Sequence, residues 1–265
     1  MKKLMILAIA GLVAGSASAS LSVDYTLMGG IDDADGGTFQ AVQSLTVAKG
    51  DVVVMFAGTN KKPSVYSPVF SSTSAETFTA INSWTTETNP NPAAWMSYAV
   101  IDTAGTYDFL VTGNGTVADR NGIYLLSSNQ GDVAFLDGDE ATYAGLAGGA
   151  SLTVNNSLGW TTNPLYGEIA VIGGASHLRI VSGDSVNLDA DDTGSNQRFS
   201  ASTNIASGTS YDIAWSFTNS DAIDRSSNGS FLAAGFAEVI PEPATLGLVA
   251  AFGAGILFIR RRFMI

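Results

Sequence analysis

Between residues 20 and 238 apolar side chains recur at every second position, in short runs broken by clusters of Gly, Asn, Asp, Ser and Pro. A period of two is that of a strand with one face buried, and nothing in this interior repeats with the 3.6-residue spacing of an amphipathic helix. The pattern predicts an all-β, antiparallel sandwich or barrel and excludes βαβ units. Val23, Tyr25 and Leu27 alternate with polar neighbours. Leu45 and Val47 lead through Lys49-Gly50-Asp51 into residues 52–57, which predicts a hairpin closed by a tight glycine turn. Residues 52–57 are apolar on both faces, as in a central strand covered on both sides. Further strands are predicted over 95–101, 106–112, 122–126, 151–154, 168–172, 177–181, 211–217 and 231–238. Asp102-Thr103-Ala104-Gly105 is predicted to turn, and Asn89-Pro90-Asn91-Pro92 to form an extended loop. No internal repeat and no linker is visible, so residues 20–238 are expected to be one domain.

Composition narrows the chemistry. The chain has 265 residues, 46% of them hydrophobic, enough to bury a sizeable core, and no cysteine, so packing alone must hold it together. Residues 20–240 carry 7 basic and 23 acidic side chains, a net −16 within a formal −12 for the whole chain. Such a surface repels phosphate backbones and anionic headgroups, which excludes nucleic acid as a partner and leaves divalent cations or neutral glycans.

The two ends differ from the interior. Lys2 and Lys3, an apolar stretch from Leu4 to Val13 and Ala17-Ser18-Ala19 are the three parts of a secretory signal peptide, cleaved after Ala19. Its apolar stretch is too short to span a bilayer. At the other end stand Val239-Ile240-Pro241-Glu242-Pro243, an apolar run over 244–259, and Arg260-Arg261-Arg262. Sixteen residues at about 1.5 Å each give about 24 Å of helix, a short transmembrane helix that thins the bilayer or lets its first arginines snorkel. Pro243 suits a first helical turn, and the arginines hold the C-terminus in the cytoplasm. Gly247, Gly253 and Gly255 form no pair at the spacing of a helix-dimerisation face.

Pro241-Glu242-Pro243, the short apolar helix and the Arg260, Arg261 and Arg262 cluster resemble the PEP-CTERM sorting tail. The resemblance covers residues 239–265, and an ordinary single-pass anchor is the competing reading. It implies an exosortase-type enzyme as processing partner, in a Gram-negative bacterium that makes exopolysaccharide. It also implies anchorage in the inner membrane, then removal of the tail and transfer to the cell surface or matrix. Ala48-Lys49-Gly50-Asp51-Val52-Val53-Val54, Ala104-Gly105-Thr106-Tyr107-Asp108-Phe109 and the strand at 231–238 loosely resemble secreted bacterial jelly-roll domains. That likeness implies a jelly-roll-like sandwich and no particular function.

Few residues in the interior point to catalysis. His177 is the single histidine, in an alternating Ser176-His177-Leu178-Arg179-Ile180 pattern where a place on a strand surface is the plainer use. Gly183-Asp184-Ser185 faintly resembles an esterase nucleophile block without a second motif to support it. Glu76, Glu87, Glu140, Glu168 and Glu238 are the interior's glutamates, and nothing in their spacing sets two across a cleft as glycoside hydrolysis needs. Asp189-Ala190-Asp191-Asp192-Thr193-Gly194 and Ile31-Asp32-Asp33-Ala34-Asp35-Gly36 gather hard oxygen ligands that suit Ca2+ in glycine-containing loops, but neither completes an EF-hand. Solvated acidic turns are the competing use of both. Trp84 and Trp160, each followed by Thr-Thr at loop-like positions, are candidates for stacking against a sugar, whereas Trp215 alternates with Ile213 and Phe217 as a core residue does. The expectation is a non-enzymatic surface or matrix protein, with a glycan-binding module or carbohydrate-active enzyme on the same scaffold as the alternative.

Overall fold

The computed structural model describes residues 21–28, 38–59, 68–84, 93–114, 120–129, 131–146, 151–159, 168–176, 179–183, 189–193, 196–205, 210–218 and 227–239. Their regular structure is entirely antiparallel β. In the first half of the chain the strands are β1 (Leu21–Leu27), β2 (Thr38–Val47), β3 (Val52–Thr59), β4 (Val69–Ser72), β5 (Thr79–Trp84), β6 (Ala93–Val100), β7 (Gly105–Asn114) and β8 (Arg120–Ser128). In the second half they are β9 (Asp132–Leu146), β10 (Ser151–Gly159), β11 (Glu168–Ser176), β12 (Arg179–Gly183), β13 (Asp189–Thr193), β14 (Asn196–Ile205), β15 (Ser210–Thr218) and β16 (Ser227–Val239).

The strand order contains a repeat. The first eight strands form an inner sheet β1-β8-β3-β6-β5 and an outer sheet β2-β7-β4. The last eight form an inner sheet β9-β16-β11-β14-β13 and an outer sheet β10-β15-β12. Adding eight to every strand number of the first half reproduces the second. A chain without visible sequence repetition thus carries one topology twice. The reason is that strand order depends on where apolar alternation and turns fall, which many residue choices satisfy.

The two inner sheets pack face to face, and alternation along single strands shows it. Val52, Val54 and Phe56 of β3 join Met96, Tyr124, Leu126, Leu232, Ala234 and Phe236 in one buried cluster between the inner sheets. Val53, Met55 and Ala57, the intervening residues, join Ala41, Val47, Phe109, Val111 and Ile123 in a second cluster against the first outer sheet. The double-sided apolar run at 52–57 is therefore a central strand, as its composition predicts. In β16, residues 231–238 are all buried. Tyr98, Phe135 and Phe236 fasten the inner sheets together. Tyr98 stacks on Phe135 with ring centroids 4.8 Å apart, and Phe236 meets both edge-on at 6.0 and 5.6 Å.

Contacts between the central strands of the halves are reciprocal, whereas those of β5 with β9 and β16 and of β8 with β9 have no counterpart of similar extent. β3 meets its counterpart β11, while β6 touches β16 and β11 as β14 touches β8 and β3. Such exchange is what an approximate twofold axis between two equal units produces.

The expected hairpin between residues 45 and 57 does not form. β2 pairs with β7, whereas β3 lies between β6 and β8 in the other sheet, so Lys49-Gly50 turns a corner between layers. The corner is held from outside itself. Gly50 N–H donates to the Ile101 carbonyl at 2.9 Å, Ile101 N–H to the Asp51 carbonyl at 2.9 Å, and Val133 N–H to the Gly50 carbonyl at 3.0 Å. Asp51, buried, accepts the Ala48 N–H on Oδ2 at 2.7 Å. Gly50 has φ +88°, a conformation that strongly favours glycine.

Residues 189–193, expected as an acidic loop, form the edge strand β13, paired through Asp191 to Arg198 of β14. Ladder pairing with a neighbouring strand overrides the low strand propensity of aspartate. β4, β5, β9 and β14 were not expected as strands either.

Candidate functional site

The described surface offers a groove built by a definable local structure. After β4 the chain runs through residues 73–78 before entering β5, and this segment is stitched to the start of β7 and to the connection between β6 and β7. Thr73 N–H donates to the Asp108 carbonyl at 2.9 Å, and Asp108 N–H returns to Thr73 Oγ1 at 2.9 Å. Glu76 Oε1 accepts the Asp102 N–H at 2.9 Å, and Tyr107 Oη donates to the Thr103 carbonyl at 3.2 Å. Between the stitched segments opens a groove of about 310 Å3, lined by Ala75, Glu76, Thr77, Thr79, Tyr98, Ala99, Val100 and Asp102.

Its chemistry is that of acceptors and hydroxyls. Two carboxylates and two threonines face it, with no cationic side chain. Tyr98 turns its ring to Phe135, so its apolar face is already used. A neutral polyol or a hydrated cation suits such a lining. One oxygen of Glu76 is occupied by the backbone of Asp102, so this carboxylate works first as a clamp on the bend after β6. Among the described residues no three His, Cys, Asp or Glu side chains gather as a metal site.

The residues singled out from the sequence are not brought together here. Trp84 closes β5 opposite Ala94 of β6, whereas the groove lies at the other end of the same strand, where Thr79 pairs with Tyr98. About 3.3 Å per residue separates the two ends by more than 15 Å. Glu168 opens β11 between Ile205 and Ala237, and Gly183 ends β12. Ala17, Ala19, Pro241, Glu242, Pro243, Arg260, Arg261, Arg262, Trp160, His177, Asp184, Ser185 and the acidic segment 31–36 lie outside the described residues.

The burial of two polar side chains was not legible in the sequence, although Glu238 was named there among the glutamates. Glu238, in the buried run of β16, accepts the Ser128 hydroxyl on Oε1, while its Oε2 has no hydrogen-bond partner; Ser128 Oγ in turn accepts Gly131 N–H at 2.8 Å. Asn121 in β8 is fully buried, and neither atom of its amide is bonded. Alternation alone cannot flag either, because both occupy positions that an apolar residue would fill. Compared with known proteins, the chain matches no protein-family model, no curated protein and no solved structure.

Proposed function

We propose that this chain is an exported, non-enzymatic protein of the bacterial cell surface or extracellular matrix, with a structural or adhesive role. Its signal peptide takes it across the inner membrane. Its tail holds it there until an exosortase-type enzyme removes the tail and releases it among exopolysaccharide. One observation carries the reading: Pro241-Glu242-Pro243, an apolar run over 244–259 and Arg260-Arg261-Arg262 stand in that order behind a signal peptide. The prolines at 241 and 243 lack the N–H that a ladder continuing from β16 would need, which favours a tail separate from the body.

Each eight-strand unit is read as jelly-roll-like. The order β1-β8-β3-β6 facing β2-β7-β4 supports this, with β5 carried over to pair with β6. The groove beside Glu76 and Asp102 favours a second reading, a glycan-binding module. Ca2+ binding at the acidic segments remains part of the proposal only for residues 31–36. Calorimetry of the purified protein with millimolar calcium, giving no heat, would remove it.

Replacing Pro241, Glu242 and Pro243 by alanine in the native host tests the main reading. The altered chain should accumulate in the inner membrane, while the unaltered protein reaches the surface without residues 244–265. A surface product whose mass includes those residues would overturn the proposal. Binding on a glycan array that disappears in Asp102→Ala would favour the second reading.

A further inference from the structure

Open sheet edges invite pairing with another chain, and soluble proteins blunt them with charges, bulges, short strands or covering groups. Nearly every edge here is blunted. β1 carries Asp24, β4 has four residues, and β5 is broken by a register shift between Ala80 and Asn82. β9 bears Asp132, Asp137, Asp139 and Glu140 with two register shifts, and β13 holds three aspartates in five residues. β12 is short, carries Arg179 and shifts register between Ile180 and Ser182. On β10 two carboxylates do the work: Asp139 Oδ2 accepts Ser157 N–H at 2.8 Å and Asp137 Oδ2 accepts Gly159 N–H at 2.7 Å.

β2 has no charge, bulge or shortness to blunt it, and among the described residues a single group covers it. Its ten residues, Thr-Phe-Gln-Ala-Val-Gln-Ser-Leu-Thr-Val, contain no charge, proline or glycine, and they pair with β7 without a shift. The polarity of its open edge follows from β7. Asp108 directs both its N–H and its C=O to Thr73, away from β2, so the Ser44–Asp108 pair is a non-hydrogen-bonded one. Ser44, and with it Gln40, Val42 and Thr46, therefore points its backbone N–H and C=O outward. Among the described residues no strand meets them, and only the Gln43 amide covers the Ser44 carbonyl, at 3.1 Å. Val42, at the centre, is 46% exposed.

We propose that β2 is a self-pairing edge, through which two copies of this chain join antiparallel about Val42 into one continuous sheet. The sequence of the strand selects this occupant. About Val42 it is nearly palindromic in character, setting Thr38 opposite Thr46, Phe39 opposite Leu45, Gln40 opposite Ser44 and Ala41 opposite Gln43 of the second copy. In that register every outward-pointing residue of one copy meets an outward-pointing residue of the other, so each pair exchanges both backbone hydrogen bonds. The exposed valine is covered by its own copy. The lack of charge lets two strongly acidic molecules approach along this line without juxtaposing carboxylates. Self-pairing does not depend on how the protein is exported.

The absence of natural cysteine makes the test direct. In a hydrogen-bonded antiparallel pair the α-carbons lie about 5.5 Å apart, within disulfide range. The full chain carrying Val42→Cys, expressed in an exporting bacterium and oxidised, should run mainly as a dimer on a non-reducing gel. Val69→Cys, more accessible at 58% exposure on the opposite edge strand, should stay monomeric. Val42→Lys should abolish the dimer that chemical cross-linking detects for the unaltered chain, with its circular dichroism unchanged. A Val42→Cys chain that cross-links no more than Val69→Cys would overturn the proposal, as would an undiminished dimer in Val42→Lys. A cross-link to a species of another mass would replace self-pairing by a different partner.

Discussion

Gly50 is where a single side chain would do most damage for its size. Its φ of +88° already disfavours an L-residue, and a Cβ there would lie 2.3 Å from Asp132 Oδ1. Asp132 is exposed and its carboxylate can move, so the backbone term dominates the cost. Gly50→Ala should destabilise the fold by about 1–3 kcal/mol, and Gly50→Asn by less, because asparagine tolerates positive φ better. Urea denaturation of both variants checks this. Equal stability of Gly50→Ala and the unaltered chain would mean that the corner can be turned another way. The glycine itself was legible in the sequence as a turn. Its partners were not, because Ile101 and Val133, which bond to the turn, lie far along the chain and only the folded corner joins them.

At the level of strands, legibility followed the apolar payload. The run at 52–57 announced a buried strand because hydrophobic residues filled both faces; 231–238 was legible only as a strand, and both lie deep in the molecule. β9 was hidden by Asp137, Asp139 and Glu140, residues that disfavour strands by propensity but suit an edge. The pairing partners of β2 and β3 could not be read either. A glycine turn looks the same whether it closes a hairpin or carries the chain between sheets. The groove was missed for a related reason: Glu76 and Asp102 meet only because residues 73–78 fold over the bend after β6.

The aspartates of β9 also carry a prediction. They cap two outward N–H groups of β10, the counterpart of β2 in the second half. Replacing both by alanine should uncap that edge, cost about 1–3 kcal/mol and turn a discrete assembly into longer polymers, since each molecule would then own two open edges. Sedimentation velocity over a concentration series measures it. An unchanged sedimentation profile would show that these carboxylates do not guard the edge.

On the scale of the whole molecule, duplication raises the question of whether the two units fold separately. Each has its own outer sheet, which argues for independence. The inner sheets, however, share one core. Val52, Val54 and Phe56 from the first half and Leu232, Ala234 and Phe236 from the second lie in the same buried cluster, and Tyr98 of one half stacks on Phe135 of the other. Apolar residues on the facing sides would be exposed if either unit opened alone, and each buried aromatic contributes about 1.5–3 kcal/mol against that. Coupling therefore outweighs independence, and unfolding should be a single transition. The tryptophans report it, since Trp84 and Trp95 lie in the first half and Trp160 and Trp215 in the second. Chains keeping only one pair, the other changed to phenylalanine, should give the same urea midpoint. Phe236→Ala, a change within the second half, should cost about 3–5 kcal/mol and lower both midpoints together. If the first-half pair kept its midpoint while the second-half pair lost stability, the inner sheets would be touching without being coupled.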